Sequence, residues 1–311
     1  MLSIVLPAYN ENVNILKAYQ AIRAIMENEH IPIELIYVND GSKDNTWEEI
    51  CAVVESVKSE KKDDVSVKGI NFSRNFGKEA AVLAGLAQAS GDACVVMDCD
   101  LQHPPKTLVD MYGLWKQGYE VVEGVKRSRG KEHPIYKAGA KLFYKMMTKA
   151  TRIDMSRASD FKLLDKKVVK SILNMPERNM FFRGLSAWVG FKKTEIEFDV
   201  QEREAGESKW SKWSLVKYAV KNIAAFSTAP MQLVTIAGGL TFFGAVILAI
   251  QTLIRYFMGH AVQGFTTVIL LLLIIGSVIM TSLGIIGYYI AKIYEEVKRR
   301  PVYIISEVVH N

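Results

Sequence analysis

Several familiar signatures are missing from this chain of 311 residues. It has no GxGxxG and no GxxxxGK[ST], which removes the dinucleotide fingerprint and the Walker-type phosphate loop. Cysteine is scarce: Cys51, Cys94 and Cys99 form no CxxC pair and read as reduced, structural thiols of a cytoplasmic domain. The opening "MLSIVLPAYNEN" lacks a basic start and turns polar within nine residues, so no signal peptide is expected. Charge is absent over long stretches. None occurs from Asn222 to Ile254, nor from Tyr256 to Ala291 if His260 is neutral. Each stretch exceeds the roughly 20 apolar residues that cross a hydrocarbon core, so two membrane spans are expected, at 227–258 and 265–291.

What is present fits that frame. Half of the residues are hydrophobic and the mean hydropathy is +0.10. Lys209, Lys212, Lys217 and Lys221 precede the first span, and Lys292, Lys298, Arg299 and Arg300 follow the second, while only Arg255 and His260 lie between. The positive-inside rule places both termini in the cytoplasm. The net charge of +6 suits an anionic membrane surface better than nucleic acid. Trp210, Trp213, Val216, Val220 and Ile223 recur at steps of three and four, with the lysines largely off that face. That pattern predicts an interfacial amphipathic helix over 209–226, with a tail at 292–311 beyond the spans.

Residues 1–208 form the remaining domain. Strand candidates at 2–8, 33–39, 65–72 and 93–97 alternate with helical patterns at 12–29, 46–58, 78–89 and about 104–117. This predicts an α/β fold with a doubly wound, mostly parallel sheet, whose ligands bind beyond the carboxyl ends of the strands. The unusual residues gather at those ends: "PAYNE" after the first strand, Asn39 and Asp40 after the second, and Asp98, Cys99 and Asp100 after the fourth. Taken singly, each could be a helix cap or a turn; convergence on one sheet edge is the signal. In an extended chain Asp98 and Asp100 would share a face and repel. Mg²⁺, which takes one or two carboxylates plus phosphate oxygens, would relieve that repulsion, and Gln102 could add a neutral oxygen. An EF-hand is excluded, because His103 stands where its glycine would be and Val109 where its glutamate would be.

Jointly, "PAYNE", "VNDGSKDNT", "NFSRNFGKEAAVLAGL", "MDCDLQHPP" and "EREAGESKW" resemble the family 2 glycosyltransferases of GT-A fold. Within them the chain resembles the polyprenyl-phosphate glycosyltransferases, which include dolichol-phosphate mannose synthase and undecaprenyl-phosphate glucosyltransferases. The resemblance implies that Pro7, Ala8, Tyr9, Glu11 and Asp40 contact the nucleotide, with Asp98 near the ribose or the metal. Asp100 would bind Mg²⁺ or Mn²⁺, assisted by Gln102, with Cys99 in the variable middle of the DxD triplet. Asp160, in "SDFKLLD", would orient or deprotonate the acceptor; both roles stay open. Arg203, Ser208 and Lys209 would close over the diphosphate, Arg74 and Lys78 are phosphate-side cations, and Arg127 and Arg129 would hold the lipid phosphate.

The expected donor is a UDP-sugar, UDP-glucose first, with N-acetylglucosamine, galactose and mannose as alternatives. The expected acceptor is a polyprenyl phosphate at a bacterial plasma membrane; an assembly of several copies is left open. A processive polysaccharide synthase would carry QxxRW and more spans, and this chain has neither.

Overall fold

The computed structural model describes residues 1–60, 64–127, 148, 159–175, 181–199, 229–259 and 264–311. Leu2–Ala8 (β1), Asn12–Asn28 (α1), Ile33–Asn39 (β2), Thr46–Glu60 (α2), Val65–Phe72 (β3), Lys78–Gln88 (α3), Ala93–Val96 (β4) and Lys106–Lys116 (α4) reproduce the alternation expected from the sequence. Val121–Lys126 (β5), Lys162–Asp165 (β6), Lys166–Leu173 (α5), Phe182–Trp188 (α6) and Lys193–Phe198 (β7) follow. Ala229–Phe257 (α7), Phe265–Val297 (α8) and Ile305–His310 (β8) complete the described elements.

The strands form one sheet in the order β7-β5-β6-β4-β1-β2-β3-β8. Its middle, β4-β1-β2-β3, is parallel throughout. Parallel strands buried on both faces read as continuous apolar runs, and β2 is buried at every position. Leu2, Ile4 and Leu6 of β1 face Ile15, Tyr19 and Ile22 of α1, while Val5 faces the other layer with Ala81, Ala84 and Leu86 of α3. Gly85 of α3 lets that helix lie directly on β1, since a Cβ there would collide with the Val5 side chain.

The segment expected as a tail at 292–311 carries regular structure. The helix α8 runs on to Val297, and β8 pairs antiparallel with β3. Its mostly exposed side chains suit an edge position, and the pairing covers a β3 edge that would otherwise present bare amides and carbonyls. Trp47 Nε1 donates to Glu307 at 3.1 Å, Ser73 N–H donates to the Ile304 carbonyl at 3.0 Å, and Tyr303 stacks on Phe72 at 5.1 Å.

Among the described residues, 229–259 and 264–299 belong to a second compact unit. Within it, α7 and α8 are long and apolar enough to cross a membrane, over Val234–Arg255 and Val268–Val297. Large apolar side chains such as Leu240, Phe243, Leu272 and Met280 are exposed on them. The expected amphipathic helix at 209–226 lies outside the described residues.

Candidate active site

The site is built at the carboxyl ends of β1, β2 and β4. After β1, Asn10 adopts φ 54°, a left-handed conformation that asparagine tolerates. Its N–H donates to Ser42 Oγ at 2.9 Å, and Lys43 N–H donates back to Asn10 Oδ1 at 2.9 Å. Glu11 N–H donates to Thr46 Oγ1 at 2.9 Å, and the Glu11 carboxylate accepts from Asn14 Nδ2 at 2.6 Å. Pro7 and Tyr9 are half-buried and Ala8 is buried, so the "PAYNE" segment is a fixed wall between the starts of α1 and α2. Cys99 Sγ reaches the Pro7 carbonyl at 3.5 Å, tying the end of β4 to this wall.

Asp40 is buried at the end of β2, and its carboxylate accepts from Phe76 N–H at 2.6 Å and Gly77 N–H at 2.9 Å. Burial raises its pKa, with the two amides opposing. Gly41, at φ 62°, lies so close to the Arg74 backbone that a Cβ would not fit. The residue expected at the nucleotide thus also holds down the 74–77 loop, which presents Arg74 over the Phe76 ring at 4.2 Å.

Around Lys78, charges converge. Its Nζ lies 2.6 Å from Asp98 Oδ1 and 3.2 Å from Asp160 Oδ2. Burial opposes the ammonium charge, but Asp98 and Asp160 outweigh it and keep Lys78 firmly protonated. Asp160 also accepts from Arg183 Nε at 2.6 Å on Oδ1 and from Arg183 Nη2 at 2.8 Å on Oδ2. Burial would raise the Asp160 carboxyl; Lys78 and Arg183 instead hold it far below the usual carboxylate range. Asp98 is likewise lowered on balance, burial being overcome by Lys78 and His103. Glu79, next to Lys78, is pushed up to about 7 by burial and by Asp160, and accepts from Phe182 N–H at 2.9 Å.

The strand stops at Val96 and a turn follows, with Leu101 at φ 55°, so Asp98 and Asp100 stand in a turn beyond the strand end. Asp98 goes to Lys78, whereas Asp100 stays half-buried and accepts from Gln102 N–H at 3.1 Å. Among the described residues no group of three or more His, Cys, Asp and Glu could hold a metal ion. A hard divalent cation that keeps substrate phosphates as ligands needs only one or two carboxylates, and the half-buried Asp100 beside Gln102 fits that requirement.

Other expected residues lie elsewhere. Arg127 is exposed and paired with Asp199 at 3.0 Å and Glu197 at 3.8 Å. Arg129, Arg203, Ser208 and Lys209 lie outside the described residues. The structure adds residues that sequence reasoning passed over. Lys162 is 1 % exposed, its Nζ 3.1 Å from Glu123 Oε1 and 2.8 Å from Ser186 Oγ. Glu123 also accepts from Ser159 N–H at 2.8 Å, so this pair underpins the turn that carries Asp160. His103 stacks on Phe161 at 4.5 Å with its buried Nδ1 lacking a partner. A lone arginine in "MFFRGLSAW" or a lysine within a strand carries no local signal; their partners are distant in sequence.

The layered sheet with carboxylates and cations at its carboxyl edge has the architecture of the GT-A type. The chain belongs to the family described as "Glycosyl transferase family 2", whose profile matches residues 3–173. A prophage bactoprenol glucosyl transferase homolog of Escherichia coli is 34 % identical over 312 residues, covering 99 % of each chain. The bactoprenol glucosyl transferase of Shigella phage SfII is 35 % identical, over 98 % of this chain and 97 % of its own. An uncharacterized glycosyltransferase of Synechocystis is 37 % identical, over 99 % of this chain and 95 % of its own. Among solved structures, the Mycobacterium tuberculosis glucosyl-3-phosphoglycerate synthase with Mn²⁺, UDP and phosphoglyceric acid matches at TM-score 0.48 and 20 % identity. That match covers 72 % of this chain and 76 % of the synthase.

Proposed function

We propose that the protein transfers glucose from UDP-glucose to a polyprenyl phosphate, with inversion, at the cytoplasmic face of a bacterial plasma membrane. One observation carries this reading: bactoprenol glucosyl transferases match over 97–98 % of both chains, apolar helices included. The order of domains follows the same reading, with 1–208 catalytic, 209–226 interfacial, spans at 227–258 and 265–291, and both termini cytoplasmic.

Pro7, Ala8, Tyr9, Glu11 and Asp40 line the nucleotide side, with Asp98 and Lys78 toward the diphosphate. Asp98, Asp100 and Gln102 are the candidate holders of Mg²⁺ or Mn²⁺, which when bound would offset charge on the leaving diphosphate. The family resemblance assigns Arg203, Ser208 and Lys209 to the diphosphate, and Arg127 and Arg129 to the lipid phosphate. A phosphate oxygen of the acceptor forms the new bond to the anomeric carbon as the bond to the UDP oxygen breaks, and UDP departs with that electron pair. No proton need move, because a phosphomonoester has its second pKa near about 6 and is mostly dianionic at neutral pH. The ion pairs of Asp160 support a positioning role over that of a base, which works best with a pKa near the operating pH.

Membranes containing the protein, supplied with labelled UDP-glucose, should place label in a mild-acid-labile lipid, and a donor screen should rank UDP-glucose above UDP-N-acetylglucosamine, UDP-galactose and GDP-mannose. Label in polymer would point to a synthase, and transfer to no lipid would overturn the reading.

A further inference from the structure

We propose that Arg183 is a binding residue for the acceptor's phosphate, held in place by Asp160. The proposal rests on the reading of the acceptor as a lipid phosphate. A carboxylate at an acceptor site repels a phosphate dianion unless cations outweigh it. Asp160 meets this condition locally: Lys78 at 3.2 Å and the Nε and Nη2 donors of Arg183 at 2.6 and 2.8 Å surround one carboxylate. Lys78 divides its charge between Asp160 and Asp98, on the donor side of the site. Arg183 puts two parallel donors on Asp160, which fixes the plane of its guanidinium, and the side chain remains 29 % exposed. A planar, permanently charged guanidinium held in a fixed orientation by one edge suits phosphate oxygens approaching its other side.

The backbone beneath Arg183 is anchored as a ligand-binding element needs to be. Phe182 N–H donates to Glu79, which follows Lys78 on α3. One turn further along α6, Ser186 Oγ accepts from the buried Lys162, two residues after Asp160. The helix is thus pinned to the two segments that carry Lys78 and Asp160, and Arg183 projects between those pins. An arginine serving only as a surface charge has no use for such seating. Preorganisation of this kind lowers the cost of ordering the side chain on binding.

The test uses the full-length protein in detergent with UDP-glucose and farnesyl phosphate as a short polyprenyl phosphate. Arg183→Gln should raise KM for farnesyl phosphate by about tenfold or more, the scale of one charge-assisted hydrogen bond. The rise in KM for farnesyl phosphate should exceed any change in KM for UDP-glucose by at least about fivefold, since Lys78 keeps its contact with Asp98. Arg183→Lys should fall between, because it keeps the charge and loses the fork; it also gives the reading if Arg183→Gln does not fold. An unchanged lipid KM in a folded variant, or a rise confined to KM for UDP-glucose, would overturn the assignment. Wild-type protein that hydrolyses UDP-glucose yet never transfers to farnesyl or longer polyprenyl phosphate would instead sink the functional reading on which the proposal stands.

Discussion

Asp160 keeps two cations within hydrogen-bonding distance, and a carboxylate so engaged is poor at taking protons and good at fixing positive charge. Beneath it, Lys162 and Glu123 are the buried counterpart: both are nearly sealed from water, and each makes the other tolerable there. Removing one member leaves an uncompensated charge, so Lys162→Met should destabilise the protein by about 3–5 kcal/mol. The double variant Lys162→Met, Glu123→Leu should recover much of that loss. Thermal unfolding in one detergent compares them; equal stability of the wild type and Lys162→Met would show the pair to be inert. Asp100 tests a different kind of dependence. It sits in a turn outside the hydrophobic core, so Asp100→Ala should fold normally while losing transition-state stabilisation of about 2.7–4 kcal/mol. Transfer rates measured with and without excess EDTA check this. Wild-type rates in the variant, or full activity of the wild type in EDTA, would remove the metal from the account.

At the level of elements, α3 matters most to the site, because its first turn carries Lys78 and Glu79 while its middle lies on β1. Gly85 permits that close approach, and a methyl there collides with Val5. Gly85→Ala should therefore cost about 1–3 kcal/mol by overpacking and lower the transfer rate by displacing Lys78. Adding Val5→Ala should restore both, a rescue that unfolding and activity assays can read together; a loss unrelieved by the second change would place the fault elsewhere. The alternation from β1 to α4 was legible because each strand is an apolar run closed by turn formers such as "NDGSKDNT". The end of β4 was legible to within one residue, expected at Met97 and found at Val96, but nothing in "VVMDCD" reveals the turn that follows. Arg183 and Lys162 were invisible for a plainer reason. Their meaning depends on Asp160, Glu123 and Ser186, which the chain brings together only through the finished sheet.

At the scale of the whole molecule, β3 and β8 share a sheet, so the chain that leaves before residue 229 returns by residue 305 to the same side of any membrane it crosses. An even number of crossings follows, in keeping with two helices. Cysteine tags near residue 205 and after Val309 should both be shielded from impermeant reagents in intact cells, while a tag at Gly259 reacts. Opposite reactivity of the first two tags would mean that β8 does not reach β3 in the cell, and labelling of both would reverse the orientation. The same pairing has a consequence in time. The partner of Phe72 is Ile305, so more than two hundred residues, both apolar helices among them, are synthesised before the β3 edge can be covered. At about 5–20 residues per second, that edge stays open for roughly 10–50 s on the ribosome. Both apolar helices are thus synthesised before the sheet can close, and β8 covers an edge left open since β3 emerged.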